Sequence, residues 1–145
     1  MAISSSSNPL PRAAPFASGY RHINLKVERH SLWPFALALA IFLASGTKNL
    51  AAPDLGWDIS YDKLAHLLVF GLLATTILRI PYFFKQGWKG ALIAVAIVSL
   101  YGALDEYHQF FSGRSVEFDD WIADTLGAAL ASILYLKCQW YRRIW

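Results

Sequence analysis

Four apolar runs at or near the length of a bilayer span dominate this chain of 145 residues. The first is roughly Leu32 to Ala44, LWPFALALAIFLA, and reaches spanning length once Ser45 to Leu50 is added. The others run from about Tyr61 to Ile80, Trp88 to Phe110 and Phe118 to Leu136. A transmembrane helix needs about 17–25 mostly apolar residues. A soluble bundle is the alternative, but so short a chain has little left with which to cover four such helices. The hydrophobic share of 56% also exceeds the roughly 45–50% usual in soluble domains. The expected fold is therefore all-α, a polytopic integral membrane protein with four transmembrane helices spread over residues 29–145. Residues 1–28 are rich in Ser, Pro and Ala and read as a flexible tail. They contain no long apolar core followed by a small-residue cleavage site, so they do not read as a signal peptide.

Charge distribution gives an orientation. Of the thirteen Lys and Arg, ten lie in the N-terminal tail (Arg12, Arg21, Lys26, Arg29), the middle loop (Arg79, Lys85, Lys89) and the C-terminal end (Lys137, Arg142, Arg143). The positive-inside rule puts all three regions in the cytoplasm, which four spans with both termini inside satisfy. Trp33, Trp88 and Trp140 then suit the inner aromatic belt, and Trp57 and Trp121 the outer one. This placement of the basic residues accounts for the net charge of +3 without invoking nucleic acid. Membrane lipids are the expected surroundings.

With that topology every acidic residue except Glu28 falls on the outer half. Two polar sets meet there. Asp62, Lys63 and His66 open the second run, with Asp62 and His66 one turn apart on one face. Between the third and fourth runs lies the stretch GALDEYHQFFSGRSVEFDDWIADTLG, Gly102 to Gly127. A charge at mid-bilayer costs about 2.5–3.5 kcal/mol on insertion scales, so such a cluster points to function. Asp62 with His66 is an acid/base pair beside the Lys63 cation. The bland alternative makes Asp62 a helix cap, with Lys63 and His66 among headgroups. Adjacent residues on a helix project about 100° apart, so Asp105 and Glu106 are not both expected to face the interior equally. Gln109 shares a face with either. Arg114 offers a guanidinium fork for phosphate or carboxylate, or else a loop ion pair. Asp120 fits a cap, whereas Asp124, a turn deeper, calls for a buried role. Asp124, Gly127, Ala128 and Ala131 form a small-residue stripe that lets a neighbouring helix approach.

In their order along the chain, Ser45, Asp62-Lys63-x-x-His66 with Phe70, Asp105-Glu106-x-x-Gln109, Gly113-Arg114, Asp120 and Asp124-x-x-Gly127 resemble the VanZ-like family of small bacterial membrane proteins. The resemblance covers roughly Ser45 to Leu136. It implies a polytopic inner-membrane protein of the cell envelope. It carries over Asp62, Lys63, His66, Glu106, Gln109, Arg114 and Asp120 as motif positions; Asp124 stands where many relatives have Asn. The family takes its name from a protein linked to antibiotic (teicoplanin) resistance, a role that membership alone does not confer.

Three functions fit these residues. The first is an outward-facing polar site for an anionic envelope ligand, a lipid-linked phosphate or a glycopeptide, with Lys63 and Arg114 supplying positive charge. The second is a structural subunit of a larger membrane complex, held in register by the polar cluster. The third is an enzyme acting on an envelope lipid, with His66 or Glu106 as general base. Ser45, Ser112 and Ser115 lack elbow or triad spacing, which ranks the enzyme last. His66, Glu106, Asp120 and Asp124 mix imidazole and carboxylate donors, but at no diagnostic metal spacing, so no metal or other cofactor is expected. The lone Cys138 allows no intrachain disulfide and reads as an inert thiol.

Overall fold

A computed structural model describes residues 29–47, 61–113 and 116–144. Within them every regular element is helical: α1 (Trp33–Ser45), α2 (Tyr61–Leu78), α3 (Pro81–Lys85), α4 (Trp88–Phe111), α5 (Phe118–Lys137) and α6 (Gln139–Ile144). The N-terminal tail, Trp57, Arg114 and Ser115 lie outside the described residues.

The first apolar run gains its length in the direction opposite to the one expected. A 3₁₀ turn, Arg29–Leu32, leads directly into α1, whose first turn holds Pro34, while the helix stops at Ser45. At rises of 2.0 and 1.5 Å per residue the continuous helical backbone from Arg29 to Ser45 spans about 27 Å. The stop is fixed by local bonds. The Thr47 hydroxyl and backbone N–H both donate to the Ala44 carbonyl (2.6 and 3.0 Å).

Helix α2 ends two residues before the expected Ile80 because Pro81 excludes helical geometry at the residue preceding it. Ile80 is extended (φ −68°, ψ 123°), and Pro81 then occupies the first turn of α3, where its missing N–H is harmless. Gly87, at φ +57°, turns the chain into α4. Neither α3 nor α6 was expected, since each is too short to register as an apolar run.

The four long helices succeed one another up and down, so the start of α2 lies beside the start of α5. These two pack closest. A Cβ at Gly127 would overlap the Leu67 carbonyl oxygen, and one at Gly71 would meet the Gly127 oxygen at 2.9 Å. Phe70, Leu73, Ala74 and Leu78 of α2 form the centre of the core with Ala94 and Val98 of α4 and Ala128 of α5. Ile41 is the contribution of α1, which is also tied to α4 by the Tyr101 hydroxyl donating to the Ala38 carbonyl at 2.6 Å.

Helix α4 is built inside out relative to a water-soluble helix. Its buried residues are Gly90, Ala91, Ala94, Val98, Gly102, Asp105, Glu106 and Gln109, whereas Leu92, Ile97, Leu100 and Leu104 are exposed. Small residues inside let helices approach, and large aliphatic side chains outside are stable in lipid but a liability in water. Among the described residues two helices, α2 and α4, are long and apolar enough to cross a membrane. Of the other two, α1 has only 13 residues, and α5 carries Asp119, Asp120, Asp124 and Lys137 in its 20.

The two ends of the bundle differ in chemistry. At one end, Lys137 lies 5.5 Å from the Trp88 ring and Arg142 5.6 Å from the Phe84 ring. Tyr135 packs edge-on against Phe84 and Tyr141 there, and the Tyr141 hydroxyl meets that of Thr75. The carboxylates gather at the other end.

Candidate functional site

The polar end is formed by the last residue of α1, the first turns of α2, the last turns of α4 and the first turns of α5. Because successive helices alternate in direction, these sequence-distant termini coincide. Lys63, His66, Asp105, Glu106, Gln109, Asp120 and Asp124 all take part in its contacts, with Asp62 alongside.

Asp124 is fully buried, and its Oδ1 lies 2.9 Å from Nδ1 of His66. The His66 ring also stacks on Phe70, with centroids 5.8 Å apart, so one face of the imidazole is held by α2 itself. Behind Asp124 stands Gly102, where a Cβ would come within 2.6 Å of Asp124 Oδ2. The glycine in α4 thus makes room for the carboxylate of α5. Nε2 of His66 points the other way, 3.9 Å from Oδ2 of Asp120.

Lys63 lies beside three carboxylates of the α5 N-terminus. Its Nζ donates to Glu117 at 3.2 Å and lies 3.6 Å from both Asp119 and Asp120. Glu117 and Asp119 are well exposed, so their pairs contribute little, whereas Asp120 is buried. The ammonium therefore ties α2 to α5.

Asp105 and Glu106 are both buried, which corrects the expectation that they would not face the interior equally. They point about 100° apart, but α4 is flanked on two sides. Asp105 turns to α1, where the Ser45 hydroxyl donates to its Oδ1 at 2.6 Å. Glu106 turns to α5, where it accepts the Glu117 backbone N–H at 3.0 Å and so ties down the entry to that helix. One turn on, the Gln109 amide donates to both carboxyls, at 3.2 Å each. His108 stands apart, stacked on Phe42 with centroids 3.9 Å apart.

Between α1, α2 and α4 a cavity of about 150 Å³ opens beside this network. Ser45, Asp62, His66 and Asp105 give it polar walls; Ile41, Ala65, Val69 and Phe70 give it apolar ones. Such a boundary suits an amphipathic molecule. Asp62, His66 and Asp120 also bring donor atoms within 4.8 Å of one another. Glu106 and Asp124, which the sequence placed with His66 and Asp120 as metal donors, are not in that group. The Glu106 carboxyl is held by Gln109 and the Glu117 N–H, and Asp124 binds the opposite nitrogen of His66.

Sequence reasoning left Asp105 and Ser45 outside the central set. The signal lay in Ser45 closing an apolar run at the same membrane level as Asp105. Glu117 was missed as well, since its spacing from Asp120 gives no hint that it reaches Lys63.

The family model described as VanZ/LLP1 matches residues 9–140. Comparisons with curated proteins and with solved structures gave no match.

Proposed function

The chain belongs to the VanZ/LLP1 family, and from that premise we propose that it is a multi-pass protein of the bacterial inner membrane whose polar end recognises an anionic component of the cell envelope. In this reading all four long helices cross the bilayer with both termini in the cytoplasm. The cationic and aromatic end, with Lys137 on Trp88 and Arg142 on Phe84, supports that orientation by the positive-inside rule. Residues 1–28 form a cytoplasmic tail.

The observation that carries the proposal is the cavity walled by Ser45, Asp62, His66 and Asp105 on one side and by apolar side chains on the other. A lipid-linked phosphate would place its head among the polar groups and its first isoprenoid or acyl units along Ile41, Val69 and Phe70. Lys63 and Arg114 supply positive charge, while Asp120, Asp124, Glu106 and Gln109 fix the geometry of Lys63 and His66. A glycopeptide is the other ligand of this class.

Mass spectrometry of the lipids that co-purify with the wild-type protein and with Glu106→Gln tests the proposal. A polyprenyl or other anionic envelope lipid enriched in the wild type and lost in the variant is the expected result. Identical bulk phospholipid in both would refute it and favour the structural-subunit role. That second role is supported by the many bonds within the network that join one helix to another.

A further inference from the structure

We propose that Asp62, His66 and Asp120 bind one divalent metal ion of the zinc or manganese type. The Asp124–His66 contact sets up the donor. An ionised carboxylate can only accept, so Nδ1 of His66 carries the proton toward Asp124 at 2.9 Å. Nε2 faces Asp120, and a metal there takes its lone pair in place of a proton. A carboxylate behind a metal-binding histidine is the usual device for fixing tautomer and ring orientation.

The spacing suits a shared ion better than a direct bond. Nε2 and Asp120 Oδ2 are 3.9 Å apart, too far to hydrogen-bond. Two ligands of one ion at about 2.0–2.2 Å each stand roughly 3.4 Å apart in a tetrahedral site and at most about 4.4 Å apart across the metal. The three donor atoms lie within 4.8 Å, so small side-chain rotations close the site.

An independent observation lies at Asp120. The residue is 3% exposed, and its Oδ1 is buried without a hydrogen bond among the described residues, with Lys63 Nζ at 3.6 Å. An ammonium at that distance compensates the buried carboxylate only in part, and an ion would complete the compensation. Among the described residues the polar end holds Asp62, Asp105, Glu106, Glu117, Asp119, Asp120 and Asp124, with the Lys63 ammonium and the His66 and His108 imidazoles as its basic groups. An added cation reduces that imbalance. One imidazole with two carboxylates is a donor set for zinc or manganese rather than for copper(I) or calcium.

Binding of the ion stands on this geometry alone. Its purpose rests on the function proposed above: an ion facing the cavity would bridge the acidic walls to a phosphate, reconciling an acidic site with an anionic ligand.

The test is equilibrium dialysis of the full-length protein in detergent, stripped with chelator, against zinc and manganese chlorides, with bound metal counted by plasma mass spectrometry. The wild type should take up one ion per chain. Asp120→Asn and His66→Ala should lose it, and Asp124→Asn, which keeps the fold contact but weakens the donor, should bind about 10–100-fold more weakly. A wild type that binds less than a tenth of an equivalent, or uptake equal in all variants, overturns the inference, whatever the variants do to folding. Co-purifying lipid is measured on the same samples. Lipid retained by metal-free protein removes the ion's bridging role and leaves the proposed function standing. One ion bound without any selective lipid does the reverse.

Discussion

Replacing Gly127 by Ala should separate α2 from α5 and disrupt the polar end in one step. A Cβ there overlaps the Leu67 carbonyl oxygen and comes within 2.8 Å of its carbon and 2.9 Å of its Cα. These are backbone atoms of a buried helix face, so no side chain can swing aside. Restoring ordinary contact to the carbon alone moves the helices apart by about 0.6 Å. His66 precedes Leu67, and Asp124 lies one turn before Gly127. The same displacement stretches their 2.9 Å contact toward the outer limit of a hydrogen bond, about 3.5 Å. Overpacking costs about 1–3 kcal/mol, and weakening a charged buried hydrogen bond costs about 1–2 kcal/mol more. Thermal unfolding in detergent micelles should therefore show a loss on the order of 2–5 kcal/mol. Gly71→Ala is the internal comparison. Its Cβ meets the Gly127 oxygen at 2.9 Å and Ala131 at 3.3 Å, so the required shift and the loss are smaller. A Gly127→Ala protein that melts with the wild type, or above Gly71→Ala, would refute this account of the α2–α5 contact.

Other substitutions probe separate parts of the network. Ser45→Ala removes a 2.6 Å bond to buried Asp105 and should cost about 1.5–3 kcal/mol in the same melt, mainly by loosening α1. Tyr101→Phe, losing one bond to the Ala38 carbonyl, should cost about 0.5–1.5 kcal/mol. Asp124→Leu leaves His66 without its partner at a fully buried position and should cost about 3–5 kcal/mol, with Asp124→Asn well below that. Equal melts for the two Asp124 variants would show that shape rather than the acceptor matters. Lys63→Met should lose less stability than Asp124→Leu, because two of the three carboxylates beside Lys63 are exposed, and a larger loss would contradict the weight given to screening.

Much of the helical layout was legible because long apolar runs and proline positions are local signals. Pro81 alone fixed where α2 gives way, to within two residues. The convergence of His66, Glu106, Gln109, Asp120 and Asp124 at one end was legible for a different reason: alternating helices bring alternate termini together, whatever the side chains are. Pairings across helices were not legible. That Asp105 reaches Ser45 while Glu106 reaches the Glu117 N–H depends on which neighbour flanks each side of α4, and a single helix does not encode that. The 3₁₀ turn Arg29–Leu32 ahead of α1 was also missed, since Arg29 and His30 look like flank rather than helix. The grouping of Asp62, rather than Glu106, with His66 and Asp120 depends on which nitrogen of the imidazole Asp124 takes.

The most direct measurement is the sidedness of the polar end, read by a membrane-impermeant thiol reagent on intact bacterial cells or spheroplasts. Cys138 is the only cysteine and follows α5 at the cationic end, while Asp119, on the exposed face of the first turn of α5, marks the acidic one. Asp119→Cys in a Cys138→Ser background should label from outside. Cys138 in the otherwise native chain should label only after the membrane is opened. The reverse pattern would put the carboxylates in the cytoplasm, and a site for an envelope ligand at that end would be contradicted.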